Sequence, residues 1–221
     1  SHINKLNCKN ARNCVCLTMN EKIKQFVNFD YCPLDDPDFI SECKIHLKDH
    51  GALTIDNFLK EKIIPVLVEE AKSVEDQAFY SSSTHNVYLT PQKRKLGKDH
   101  IFNHQINSSK GCVTTDLIPK SSPLKYIYNS DIFKEFVSKI VQEKKLYSYE
   151  DPYSSINIHY ANEGQELGWH FDNSTFAVTL LLQQPIDGGH FEYVKDVRDA
   201  EAGEMGFNNV EAIVSGYKKP S

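Results

Sequence analysis

Hydrophobic residues in the N-terminal half of the chain recur at the spacing of amphipathic helices. The clearest case is residues 36–51, DPDFISECKIHLKDHG, in which the apolar positions fall on one helical face. These positions are Phe39, Ile40, Cys43 and Leu47. We expect Asp36 to cap the helix, Pro37 to occupy its first position and Gly51 to end it.

A short strand and two further helices are predicted between residues 52 and 147. Residues 52–59, ALTIDNFL, alternate as a strand does, and residues 59–74 return to helical spacing around a proline expected to kink or restart the helix. Residues 130–147 predict another amphipathic helix, which opens at Ser130 or Asp131. Its apolar face consists of Ile132, Phe133, Phe136, Ile140 and Val141.

The period changes to strand-like alternation in the C-terminal half. The β-rich runs are SSINIHY, ELGWHFD, FAVTLLLQ and HFEYV, at residues 154–160, 166–172, 176–183 and 190–194. Gly188 and Gly189 are expected to take positive φ and to return the chain alongside the preceding strand. Residues 80–125 are polar and predict functional loops interspersed with short strands. We therefore expect an α+β fold, with an antiparallel barrel or jelly roll behind an N-terminal helical layer.

Composition limits the classes of partner. A chain of 221 residues and 25.3 kDa fits one domain. No apolar run reaches the roughly 18 residues that cross a bilayer. The net charge of -5 and the pI near 6.0 disfavour non-specific binding to nucleic acid. We expect a soluble cytoplasmic protein with no nucleic-acid or membrane partner.

The N-terminal segment and the cysteines add little chemistry. Residues 1–18 are expected to be a disordered leader or added segment, because Met19 is the first methionine, and residues 19–221 to be the single domain. The six cysteines are scattered and include no CxxC pair. Free thiols are therefore expected rather than disulfides or a zinc site.

The stretch GWHFDNSTF, residues 168–176, carries the strongest chemical signal. Alternate residues of a strand point to one face, so the imidazole of His170 and the carboxylate of Asp172 converge while Phe171 points away. Two histidines and one carboxylate on one face leave open positions on a metal, as in non-haem iron(II) oxygenases. A chance pair, or a histidine simply hydrogen-bonded to the carboxylate, is the alternative interpretation.

The residues around this pair form a wider pattern with other parts of the chain. Asn157, Tyr160, Gly164 and the runs FAVTLLLQ and GGHFEY accompany His170-Phe171-Asp172. The earlier segments are HGALTIDNFL at 50–59, GKDH at 97–100, DLIPKSSPL at 116–124 and LYSYEDPYSSIN at 146–157. Over roughly residues 40–217 the chain resembles the iron(II)/2-oxoglutarate-dependent dioxygenase superfamily, in the branch of amino-acid hydroxylases and radical halogenases. That resemblance implies a double-stranded β-helix, which is a jelly roll.

The resemblance also implies cofactors and a reaction. Fe(II) held by His170 and Asp172 would bind 2-oxoglutarate and molecular oxygen, and a C–H bond of a small molecule, such as a free amino acid, would be hydroxylated. Halogenases of this branch replace the metal-binding carboxylate by a small residue, so Asp172 favours hydroxylation. Asn157 and Tyr160 lie on opposite faces of one predicted strand, and either could reach the cosubstrate or serve a structural role between strands. His100, in the loop over the expected pocket entrance, and Trp169, beside His170, are the candidates at the substrate, with a place in the core as the alternative for Trp169.

Part of the expected site has no match in the chain. The superfamily uses a second, distal histidine and a basic residue for 2-oxoglutarate, and we expect both beyond Ser221, with the last strands of the barrel. His190 directly follows the glycine turn, a place that the superfamily fills with varied residues, and is disfavoured as a ligand. The basic residues after it, none in the expected relation to a distal histidine, are Lys195, Arg198, Lys218 and Lys219.

Two other functions stay open at this point. One is hydroxylation of a protein or peptide-linked target by the same chemistry. The other is a catalytically inert jelly-roll binding module that keeps a partial metal site. Ser108, Ser109 and Asp116 are weaker candidates for polar contacts.

Overall fold

A computed structural model describes residues 19–144, 146 and 155–220 of the chain. Within these residues it contains helices α1 to α6 and one antiparallel sheet of strands β1 to β3. The helices are Met19–Phe26, Pro37–His50, Ile64–Ser73, Pro123–Asn129, Asp131–Ile140 and Phe207–Val214. The strands are Phe79–His85, Ile106–Val113 and Ile158–Tyr160, in the order β1-β2-β3. The predicted leader 1–18 and most of the motif at 146–157 lie outside the described residues.

Helix α2 confirms the prediction for residues 36–51. The Asp36 carboxylate accepts a hydrogen bond from the Phe39 amide at 2.8 Å, and Pro37 occupies the first turn. Gly51 ends the helix in the left-handed region at φ 79°, and its amide donates to the Leu47 carbonyl. Lys195 donates to the carbonyls of Lys48 and Asp49 at 3.0 and 3.1 Å, which satisfies acceptors that the helix end leaves without partners.

Two elements differ from the sequence prediction. The expected strand at 52–59 is absent apart from an isolated bridge between Leu59 and Val27. Helix α5 begins as predicted but ends at Ile140, well before residue 147, because Gln142 adopts φ 60° and the Glu143 amide donates to the Ser138 carbonyl at 3.0 Å. This is a Schellman ending without the glycine that usually marks it.

In the predicted helical segment 59–74, Pro65 restarts the helix, as expected. A single 3-10 turn at Glu61–Ile63 precedes α3, and Pro65 lies in the first turn of α3, where no amide hydrogen is needed.

The sheet has two chemically different faces. Directly opposed residues share a face, so the register His85↔Ile106, Ser83↔Ser108 and Cys112↔His159 places polar side chains on one side. Gly111↔Tyr160 belongs to the other side. That other side packs on α3 through a small cluster of Ala71, Val113, Ile118 and Ile158.

The predicted strands at 166–172, 176–183 and 190–194 do not join a sheet ladder in the described structure. Residues 166–171 are instead held beside the sheet by single backbone bonds, from Ser109 to Glu166 at 2.7 Å and from Phe171 to Val87 at 2.8 Å. Gly188 and Gly189 have positive φ as expected, 68° and 62°, but the strands predicted on either side of them do not pair in the described structure. Three strands do not define a jelly roll, so that architecture stays a prediction.

Two larger hydrophobic clusters account for most of the core. The first joins helices α1 to α5 and includes Ile23, Leu34, Leu67 and Phe136. The second joins the end of β1 to α6 and consists of Val87, Tyr88, Phe102, Val197, Val210 and Ile213. Cys32, Cys43 and Cys112 are free thiols, as predicted. Among the described helices, none combines the length and the apolar character that a bilayer crossing demands.

The cap of α2 gives a test of the helical layer. Replacing Asp36 with Ala removes the acceptor for the Phe39 amide and should lower the free energy of unfolding by about 1 kcal/mol. Asp36→Asn keeps an acceptor oxygen and should stay close to wild type. Urea unfolding followed by circular dichroism measures both, and an equal loss in the two variants would contradict the capping role.

Candidate metal centre

The structure brings the side chains of His170 and Asp172 together. The distance from His170 Nε2 to Asp172 Oδ1 is 3.3 Å, and the two side chains are 32% and 58% exposed. The prediction that they face the same way is therefore confirmed, although the segment is not part of a ladder. Both side chains are open enough for an exogenous ligand to reach them.

Hydrogen bonding prepares His170 as a ligand through Nε2. Its Nδ1 lies 2.8 Å from the Gly168 carbonyl oxygen, which can only accept, so Nδ1 carries the proton. In the neutral ring this leaves the lone pair on Nε2, the atom that faces Asp172. Two ligand atoms about 2.1 Å from one metal and at right angles to each other lie about 3 Å apart. The observed pair thus fits two neighbouring positions on a divalent ion.

The described residues supply only these two donors to the site. Across residues 19–144 and 155–220, no group of three or more histidine, cysteine, aspartate or glutamate side chains is arranged to hold a metal. The distal histidine that the family resemblance implies therefore stays a prediction.

The backbone that carries the pair is held against strand β2. The Gly168 amide donates to Ser108 Oγ at 2.9 Å, and the Glu166 amide lies 3.4 Å from Ser109 Oγ. A Cβ at residue 168 would collide with the Ile106 side chain and lie 2.6 Å from the Asn107 carbonyl oxygen. Only glycine allows this close approach. The sequence indicated the two serines as polar contacts but not what they bind.

One residue of the site was missed by the sequence analysis altogether. The His85 ring, at the end of β1, lies edge-on to the His170 ring with 6.0 Å between centroids. Its Nε2 is 2.6 Å from Ser108 Oγ, and its Nδ1 is 3.0 Å from the Asn86 carbonyl oxygen. Sequence patterns gave no signal for this histidine, because the contact depends on the pairing of β1 with β2.

The aromatic residues flanking His170 belong to the hydrophobic core. Trp169 and Phe171 both pack against the second cluster. The Phe171 ring lies 5.4 Å from the Tyr88 ring, and the Arg198 guanidinium stacks on it at 3.9 Å. Arg198 stacks on Phe171, and Lys195 donates to carbonyls at the end of α2. Both basic side chains therefore already have structural partners and are not positioned to bind the carboxylate of a cosubstrate.

The two cosubstrate candidates on and beside β3 occupy different environments. Asn157 is exposed, and by strand alternation it shares its face with His159, whereas the Tyr160 hydroxyl turns to the other face and donates to the Ala71 carbonyl at 2.6 Å. Burial, with Glu75 next in effect, raises the pKa of Tyr160 to about 12. Burial and the Lys110 ammonium lower the pKa of His159. Tyr160 thus ties the sheet to α3, away from the polar face.

The substrate candidate His100 has local partners. Its Nδ1 accepts a hydrogen bond from the Phe102 amide at 3.1 Å, and its ring meets the Phe207 ring edge-on at 4.7 Å. The loop around His100 is organised by the buried side chain of Asn103. Its Oδ1 accepts a hydrogen bond from the Lys93 backbone amide at 2.8 Å, and its Nδ2 donates to the Lys93 backbone carbonyl at 2.9 Å. His100 is therefore a capping residue, and its role toward a substrate stays a prediction.

With this geometry in place, sequence comparison identifies the family. The sequence model of the halogenase D family matches residues 35–205, which is most of the chain and includes His170 and Asp172. The protein belongs to that family and is a halogenase-related enzyme. No curated protein and no solved structure gives a significant match.

The close approach of Gly168 can be tested directly. Gly168→Ala should push residues 166–171 off the strand and speed hydrogen exchange of the Phe171 amide, with a loss of about 1–3 kcal/mol in the free energy of unfolding. Glu166→Ala, at an exposed side chain in the same segment, should leave that exchange unchanged. Exchange measured by NMR would contradict the packing if the two variants behaved alike.

The structural role of Tyr160 predicts a pH dependence. The pKa of Tyr160 is raised to about 12, above the unfolded value of about 10, so the unfolded state loses this proton first as pH rises. Stability should fall with rising pH above about 10. Tyr160→Phe should flatten that dependence, whereas Tyr217→Phe, at an exposed ring, should retain it. Free energies of unfolding measured across this range distinguish the two.

Proposed function

We propose that this protein is a non-haem iron(II)/2-oxoglutarate-dependent dioxygenase that hydroxylates an unactivated C–H bond of a small molecule such as a free amino acid. The observation that carries the proposal is the 3.3 Å approach of His170 Nε2 to Asp172 Oδ1, with the proton of His170 held on Nδ1. The family match supports an enzyme, and the motifs around His170 resemble those of the dioxygenase superfamily.

The reaction balances with the proposed cofactors. Substrate C–H, molecular oxygen and 2-oxoglutarate give substrate C–OH, succinate and carbon dioxide, with one oxygen atom entering each oxidised product. Bound Fe(II) would supply oxygen activation and the coordination positions for 2-oxoglutarate. We propose that the third protein ligand and the basic residue for the cosubstrate lie outside the described residues.

The residues of this chain contribute geometry and charge. His170 presents a lone pair to the ion. The negative charge of Asp172 attracts a divalent cation more strongly than an uncharged side chain at the same position would. Gly168 fixes the orientation of the imidazole through its carbonyl. The packing of Trp169 and Phe171 on the second cluster makes the wall behind the two ligands apolar, which limits access of water from that side.

Asp172 favours hydroxylation over halogenation. A halogenase of this kind needs a coordination position for a halide, and a carboxylate ligand occupies the position that a small residue would leave free. The carboxylate lies within reach of the same ion as His170. The family match to halogenase D keeps halogenation as the second candidate.

Turnover of 2-oxoglutarate tests the enzyme assignment. The complete protein is incubated anaerobically with Fe(II), 2-oxoglutarate, chloride and a pool of free amino acids, and oxygen is then admitted. We expect iron-dependent succinate and an amino acid that gains one oxygen atom. Asp172→Ala should lower succinate formation by more than about 100-fold, since loss of an outer-shell partner alone costs about 10–100-fold. Asp38→Asn, at an exposed acid on α2, should retain activity.

The products separate the two candidate reactions. A chlorinated amino acid from the wild type would contradict hydroxylation and establish halogenation. Asp172→Gly should lose hydroxylation, and a Gly variant that hydroxylates at the wild-type rate would contradict the assignment of Asp172 as a ligand. No succinate with any amino acid, together with no Fe(II) binding, would leave an inert binding module.

A further inference from the structure

We propose that His85 and Ser108 are positioning residues that fix the tautomer and orientation of His170. The inference rests on the proposed function in that His170 is taken as an iron ligand. Neither residue lies near His170 in the sequence. They reach it because β1 pairs with β2 and the segment 166–171 lies against β2.

The direction of each hydrogen bond follows from the acceptors at the two ends. The Asn86 carbonyl oxygen can only accept, so His85 Nδ1 carries the proton at 3.0 Å from it. In the neutral ring, His85 Nε2 is then an acceptor and takes the single hydroxyl proton of Ser108 at 2.6 Å. The Ser108 oxygen is thereby oriented with its lone pairs directed away from His85.

A lone pair of Ser108 Oγ accepts a hydrogen bond from the backbone of the segment that carries His170. Gly168 N–H donates to Ser108 Oγ at 2.9 Å, and the Gly168 carbonyl accepts the His170 Nδ1 proton at 2.8 Å. His85 is thus connected to His170 through Ser108 and the two peptide groups that flank the Cα of Gly168. The Gly168 carbonyl can only accept and so holds the proton on Nδ1 of His170, while Ser108, oriented by His85, holds the Gly168 peptide where its carbonyl reaches that ring.

Ring packing adds a second restraint on the same residue. The His85 ring meets the His170 ring at an interplanar angle of 85°, with centroids 6.0 Å apart. Rotation of the His170 ring about its χ angles would lose this contact together with the bond to Gly168. A ligand restrained in both tautomer and rotamer needs less ordering when a metal binds, so the pair should raise the affinity for the metal.

The first experiment examines the imidazole itself in the metal-free protein. In the complete protein labelled with ¹⁵N-histidine, at a pH well above the ordinary imidazole pKa of about 6.5, we expect the Nδ1–H tautomer at both His85 and His170. Ser108→Ala should leave His170 as a mixture of tautomers. Wild-type His170 with its proton on Nε2, or no change in Ser108→Ala, would overturn the proposal.

The second experiment measures metal affinity with Co(II), whose absorption reports nitrogen and oxygen ligation. His85→Phe keeps an aromatic ring but cannot accept from Ser108, and it should weaken Co(II) binding by about 10–100-fold. His85→Gln restores an acceptor oxygen near the position of Nε2 and should recover most of the affinity. Equal affinity in wild type and His85→Phe, or no recovery in His85→Gln, would contradict the inference.

The two measurements separate this inference from the proposed function. If the wild type shows the expected tautomer but binds no Co(II), the hydrogen-bonded chain is supported and the iron assignment fails. If Co(II) binds through His170 and Asp172 but is indifferent to both His85→Phe and Ser108→Ala, the iron assignment survives and the positioning role fails. Thermal unfolding of each variant confirms that affinity is compared between folded proteins.

Discussion

The attachment of one glycine to strand β2 governs the geometry of the whole candidate site. Gly168 lies so close to Ile106 and Asn107 that no side chain fits, and its amide and carbonyl are both used, by Ser108 and by His170. Because both polar groups of the same residue are fixed, a displacement of the strand is transmitted directly to the imidazole. The position of His170, the proposed metal ligand, is thus set by a backbone contact rather than by its own side-chain packing.

This arrangement explains how the positions of the His170 and Asp172 side chains are fixed although residues 166–172 do not belong to a sheet. The side chains of His170 and Asp172 are partly open to solvent, yet the residue between them, Phe171, packs into a hydrophobic cluster and its amide donates to the Val87 carbonyl. The apolar side of the segment provides the stability, and the polar side provides the chemistry. Alternation of side chains along the extended backbone separates these two tasks at single-residue spacing.

The parts of the structure that the sequence predicted are those determined by neighbours along the chain. The cap at Asp36, the stop at Gly51 and the positive φ of Gly188 and Gly189 depend only on local backbone preferences, and each was found where expected. The facing of His170 and Asp172 follows in the same way from a spacing of two residues. The premature end of α5 was not predictable, because Gln142 adopts a conformation that its residue type seldom signals.

Long-range pairing limited the rest of the prediction. The contact of His85 with His170 requires the register of β1 on β2, which no local pattern of FYSSSTH reveals. Likewise, the alternating residues 52–59 have the period of a strand, but their only pairing is a single bridge from Leu59. Tyr160 matched a family motif, yet its hydroxyl donates to the carbonyl of Ala71, which lies near the end of α3 on that face of the sheet.

The stacking of Arg198 on Phe171 links the proposed iron site to the far end of the chain. Arg198 follows Val197, which shares a hydrophobic cluster with Val210 and Ile213 of α6, so the ring between the two ligands and the last helix rest on one set of contacts. A substitution that loosens the packing of α6 would therefore disturb the support of the segment that carries His170 and Asp172, although α6 is remote from both residues in the sequence.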